Sequence, residues 1–83
     1  MAFINKNQEI RLKPEWLEPG EDEFRITATE DIDLEWGRGI FRWHCGLPLD
    51  PTSVIQFEWV ESVKVGEVFV PFEEHVRTFG TNS

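Results

Sequence analysis

The side chains best suited to chemistry sit in "EWGRGIFRWHCG", Glu35 to Gly46, where a histidine and the single cysteine are neighbours. A thiol nucleophile needs a base within hydrogen-bond reach and an electropositive setting. On a strand, His44 and Cys45 point to opposite faces, so His44 is not that base. His75 reaches Cys45 only if the C-terminal segment folds back. A structural zinc site takes four Cys or His ligands. With one Cys and two His, the chain predicts no metal centre. Cys45 is expected to be a core thiol, since free cysteine is among the most buried residue types. The carboxylates suggest no acid–base pair either. Those in "GEDE" share a loop with nothing to drive their pKa values apart. Asp31, Asp33 and Glu35 share one strand face, with Arg42 and His44 placed to pair with them. No calcium-loop spacing is present. "GRG" lacks the further glycines, lysine and helix that cradle phosphate. We therefore expect no catalytic residue, no metal and no cofactor, and a protein that is not an enzyme.

Binding is the remaining class. The segment "KPEWLEPGEDE", Lys13 to Glu23, carries Trp16, Glu18, Glu21, Asp22 and Glu23 between two prolines and a glycine. An aromatic beside an acidic loop is a recognised way to hold a peptide. The tyrosines usual in grooves for proline-rich peptides are absent, since the chain has no Tyr. These five residues are the candidate partner-binding set.

The charge balance limits the partner. Sixteen acidic residues against eight basic ones give a formal charge of −8. Nucleic-acid binding relies on Lys and Arg neutralising phosphates, so direct DNA or RNA binding is disfavoured. Anionic membrane surfaces are disfavoured on the same ground. No apolar run approaches the roughly 20 residues that span a bilayer. "MAFINKNQEI" lacks the features of a signal peptide. One cysteine forms no disulfide within the chain. Together these predict a cytoplasmic protein.

The elements that must position these residues are mostly strands. Period-two alternation marks "QEIRLK", "FRITAT", "DIDLEW", "FRWHC" and "VIQFEWV". Their inward set is Ile10, Leu12, Phe24, Ile26, Ala28, Ile32, Leu34, Trp36, Phe41, Trp43, Cys45, Ile55, Phe57 and Trp59. The central hairpin is expected to pair Trp36 with Phe41, Leu34 with Trp43 and Ile32 with Cys45. Pro14 is expected to start one helical turn that tucks Trp16 and Leu17 over the core. "GLPLDPTS" is read as a tight turn with Leu47 and Leu49 inside. Glu67 to Val70 reads as a sixth strand. Pro71 opens a short helix with Phe72, Val76 and Phe79 on one stripe. The chain end, Gly80 to Ser83, is expected to be disordered. The reading is all-β: a small antiparallel barrel of five to six strands over residues 1–63, with a C-terminal extension over 64–83.

The stretch "IRLKPEWLEPGEDEFRITATED", followed by "GLPLDPTSVIQFEWVESV", resembles short bacterial and phage proteins of unknown function. These pair a "V-x-L-K-P-E-W-x-x-P-G-(D/E)-E" opening with a later Pro-containing turn. The resemblance covers residues 10–63. It implies a Src-homology-3-like barrel with a long acidic first loop and a helical turn before the last strand, and it implies no activity.

Two functions follow as expectations. The first is a non-enzymatic module that offers the acidic loop and Trp16 to a protein partner. The second is an inhibitor whose acidic surface mimics nucleic acid and occupies a basic nuclease or DNA-binding protein. The C-terminal extension is expected to make a homodimer through Val68, Phe69, Val70 and Phe72. Valines and a phenylalanine on opposite faces of one strand need cover on both sides.

Overall fold

The structure is a computed structural model that describes residues 2–80. It contains strands β1 (Glu9–Leu12), β2 (Arg25–Ala28), β3 (Arg38–His44), β4 (Thr52–Gln56), β5 (Val60–Val65) and β6 (Val68–Pro71), then one helix, α1 (Phe72–Gly80). All pairings are antiparallel, in the order β4-β3-β2-β1-β5-β6. The sheet is open: β4 and β6 are its two edges, so the expected barrel does not close. The disorder expected at the chain end concerns residues 81–83, which lie outside the described residues; Gly80 belongs to α1.

The sheet nonetheless rolls. A flat sheet would set β4 about 19 Å from β5, four strand spacings away. Only the 3-10 turn Phe57–Trp59 separates Gln56 from Val60. Four residue steps span at most about 14 Å. The sheet must therefore curl until the end of β4 nears the start of β5. Two backbone bonds pin the turn: Phe57 N–H donates to Gly37 O (2.9 Å) and Lys13 N–H to Trp59 O (2.9 Å).

The concave face holds the core. Ile10, Ile26, Ala28, Phe41, Ile55 and Val63 point inward by alternation and are buried. Phe3 and Ile4 join them from the N-terminal segment. Ile4 and Ile32 exchange two backbone hydrogen bonds (3.1 and 2.8 Å). One end of this core is capped by α1, which sets Phe72 and Val76 against it. His75, on the same helical stripe, is buried, with Nε2 2.8 Å from Phe3 O and its ring between Phe3 and Phe79.

Several local expectations are corrected. "DIDLEW" is not a strand: Ile32 makes the isolated bridge, and Leu34–Trp36 form a 3-10 turn ended by Gly37 at φ +71°. β3 therefore pairs with β2, as Ile26–Trp43 and Ala28–Phe41, in place of the expected Leu34–Trp43 and Trp36–Phe41 rungs. Phe24 and Trp36 are exposed, and Trp43, Trp59 and Cys45 are half-buried. Cys45 lies just past β3, its N–H held by Asp50 Oδ1 at 3.2 Å, and is not a core thiol. Leu47 and Leu49 face solvent on the turn instead of closing the core. "VIQFEWV" breaks at Phe57 because one straight strand cannot follow the roll.

The boundary expected between residues 63 and 64 falls inside β5. Val63–Val70 and Val65–Val68 rungs build a β5–β6 hairpin around Gly66 and Glu67. Gly66 takes φ +65°, the left-handed first position of a type II′ turn.

Candidate functional site

β1 and β2 share only two rungs, Glu9–Thr27 and Ile10–Ile26. Beyond them the strands part, and the loop from Lys13 to Phe24 fills the fork. Pro14 starts the 3-10 turn Pro14–Trp16, as its fixed φ favours. Gly20 at φ +90° starts a second such turn, Glu21–Glu23. Glu21 reaches back so that its Oε1 accepts the Glu18 N–H at 2.7 Å. The loop and the fork enclose an open cleft of about 410 Å³. Pro14, Leu17 and Phe24 supply its apolar lining, Glu21, Asp22 and Glu23 one acidic wall, and Glu9 and Glu61 further acid. Arg11 and Arg25 also line it. This cleft is where apolar surface, charge and parted strands coincide.

The candidate binding residues divide between two places. Glu21, Asp22 and Glu23 line the cleft. Trp16 does not: its ring lies 5.0 Å from that of Trp59, at 30°, and it remains half exposed outside the cleft. Glu18 serves the loop through its backbone. Sequence reading missed Leu17, Phe24, Arg11 and Arg25 as cleft residues. Arg11 and Arg25 were legible as the polar positions of alternating strands, but the fork that brings them to the loop was not.

The dimer candidates are also separated. Phe72 turns inward, 5.6 Å from both Phe3 and Phe57. Phe69 lies under the Arg11 guanidinium, 3.7 Å from the ring centroid. Val70 is half-buried opposite Val63. Val68 remains exposed beside Val65 at the hairpin tip.

A polar chain runs across the convex face. Thr27 Oγ1 lies 2.8 Å from His44 Nε2, and His44 Nδ1 lies 3.7 Å from Asp50 Oδ2. Hydroxyl, imidazole and carboxylate stand in the order of a nucleophile, its base and an orienting acid. Two features depart from that arrangement. Thr27 is buried mid-strand, and 3.7 Å is beyond hydrogen-bond distance. The Thr27–His44 contact links β2 to β3, and Asp50 holds its turn through the Cys45 N–H. Among the described residues no group of three His, Cys, Asp or Glu side chains is placed to hold a metal ion. No helix of the described residues is long and apolar enough to cross a membrane.

No family model, curated protein or solved structure matches this chain.

Proposed function

We propose that this protein is a non-enzymatic interaction module, and that the cleft at the β1–β2 fork takes a basic segment of a protein partner. The observation that carries this reading is the composition of the cleft. Pro14, Leu17 and Phe24 offer apolar contact directly beside Glu21, Asp22 and Glu23. A partner segment with one apolar side chain flanked by Lys or Arg satisfies both. Such polar-rimmed apolar surface is the usual anatomy of a binding patch. The Src-homology-3-like resemblance fits the reading, because it too puts the acidic first loop beside the recognition surface.

The distribution of the cations favours this module over the nucleic-acid mimic. A mimic needs an unbroken acidic surface at phosphate-like spacing. Here Arg11, Arg25, Arg38, Arg42 and Lys64 all occupy the convex sheet face. In this reading the homodimer contact narrows to Val65 and Val68, the apolar tip of the β5–β6 hairpin.

The test is titration with a blocked peptide centred on Lys-Leu-Lys at low and high salt. Binding should weaken as salt rises, because exposed charges are screened beyond about 8–10 Å at physiological ionic strength. Glu21→Lys with Glu23→Lys should abolish it, and Leu17→Ser should weaken it at every salt concentration. Unchanged binding by the charge-swapped variant would refute the reading.

A further inference from the structure

The convex face and the β4 edge carry a second surface, of opposite charge to the cleft and independent of it. On that face Arg38 stands opposite Gln56, Ile40 opposite Val54 and Arg42 opposite Thr52. Ile40 and Val54 are large apolar side chains left exposed, and Trp36 extends them. Together with Arg38, Gly39 and Glu30 they line a shallow depression of about 440 Å³. Lys64 pairs with Glu9, and the His44 ring lies 3.7 Å from Asp50. Arg38 and Arg42 are in neither. An acidic chain has thus set an apolar pair between two arginines that no carboxylate of the described residues engages.

The edge beside this pair is open. Trp43 N–H donates to Pro51 O, and Phe57 N–H donates to Gly37 O, both at 2.9 Å. Bonded rungs alternate along an antiparallel ladder, so residues 51, 53, 55 and 57 spend their backbone groups on β3. Thr52 and Val54 therefore turn their N–H and C=O groups outward, away from the sheet, and Gln56 turns out its N–H, its C=O being the N-cap carbonyl of the turn Phe57–Trp59. Edge strands are ordinarily guarded by charge or by an internal proline. β4 reads Thr-Ser-Val-Ile-Gln and has neither.

We propose that β4 receives an acidic, extended peptide segment as an added strand, with the pattern acid–x–apolar–x–acid. Strand addition uses the free backbone groups of Thr52 and Val54 and the N–H of Gln56. Side chains at alternate positions then fall on the convex face. The apolar residue lies beside Val54 and Ile40. The two acids lie on the rungs of Arg38 and Arg42, two strand spacings or about 10 Å away, a gap that an arginine and a glutamate side chain close by extending toward each other. The pattern is palindromic, so either strand direction satisfies it. A polypeptide fits better than nucleic acid, because the outward backbone groups match a strand.

The experiment titrates the full chain with a blocked peptide centred on Glu-Thr-Val-Thr-Glu and follows backbone amide signals by NMR. The amides of Thr52, Val54 and Gln56 should shift and gain protection from exchange. The same peptide with Lys in place of Glu should not bind. Arg38→Glu with Arg42→Glu should weaken the acidic peptide about tenfold at low salt and let the lysine peptide bind instead. Val54→Lys should abolish binding while leaving the other amide signals in place. Because the peptide swap leaves the protein untouched, a misfolded variant does not blunt the test. The proposal is overturned if the three amides do not respond at millimolar peptide, or if both peptides bind alike. It is equally overturned if a single-stranded oligonucleotide competes for the face, or if the free chain already protects these amides by pairing with a second copy.

Discussion

Gly39 offers the sharpest test of the packing. It sits in β3 with its missing side chain aimed at Ile32, which is fully buried and bridged to Ile4. A methyl at Gly39 would overlap Ile32 Cδ1 and stand 2.9 Å from Cγ1 and 3.2 Å from Cγ2. Cδ1 can rotate aside, but Cγ1 cannot move without shifting Ile32 within a filled core. Gly39→Ala should therefore cost about 1–3 kcal/mol, the usual range for overpacking. Total stability for 83 residues is on the order of 4–12 kcal/mol. The loss is a large fraction of that, and a urea melt followed by tryptophan fluorescence will resolve it. Ile32→Val removes Cδ1 and alone should cost about 0.5–1.5 kcal/mol. If the clash is the cause, the double variant should recover roughly 1 kcal/mol of the summed losses. Gly37→Ala is the control: nothing lies within 4 Å of its would-be Cβ, and only its φ of +71° opposes a side chain. It should show no coupling to Ile32→Val. A Gly39→Ala protein within about 0.5 kcal/mol of the parent, or strict additivity with Ile32→Val, would refute the account.

His75 is expected to act as a core strut. His75→Ala should lose about 2–4 kcal/mol, and His75→Phe, which keeps the volume but leaves the Phe3 carbonyl without its donor, about 1–3 kcal/mol; thermal melts of the two variants distinguish packing from the hydrogen bond. Arg11→Ala should cost about 0.5–1 kcal/mol through the lost cation–π contact with Phe69, and a urea melt that places Arg11→Lys level with the parent would show that a planar guanidinium is not required. Trp16→Ala should alter the emission of its stacking partner Trp59 and cost on the order of 1 kcal/mol. If the emission change merely equals the loss of one exposed tryptophan, the stack does not persist in solution.

The elements with the strongest local patterns were legible from the sequence alone. Alternation at Ile10 and Leu12 placed β1, and alternation at Ile26 and Ala28 placed β2, because each strand sends its apolar side chains to one face, the core. Pro14 marked its 3-10 turn through its fixed φ. Pro71 followed by Phe72, Val76 and Phe79 marked α1, since only a helix brings those three onto one stripe. Glu21, Asp22 and Glu23 were legible as an acidic loop, though not as one wall of a cleft. Tertiary structure decided the rest. "DIDLEW" alternates as well as any strand, yet Ile32 is claimed by Ile4, a residue far along the chain, and Gly37 ends the segment in a left-handed turn. Trp36 consequently faces outward and β2, not this segment, becomes the partner of β3. Alternation specifies which residues share a face but not which strand lies alongside. The roll of the sheet broke "VIQFEWV", because chain length between β4 and β5 is too short for a flat arrangement. The fork between β1 and β2, which forms the cleft, and the open β4 edge both arise from where pairing stops. That is a property of neighbouring strands in space, which no single stretch of sequence encodes.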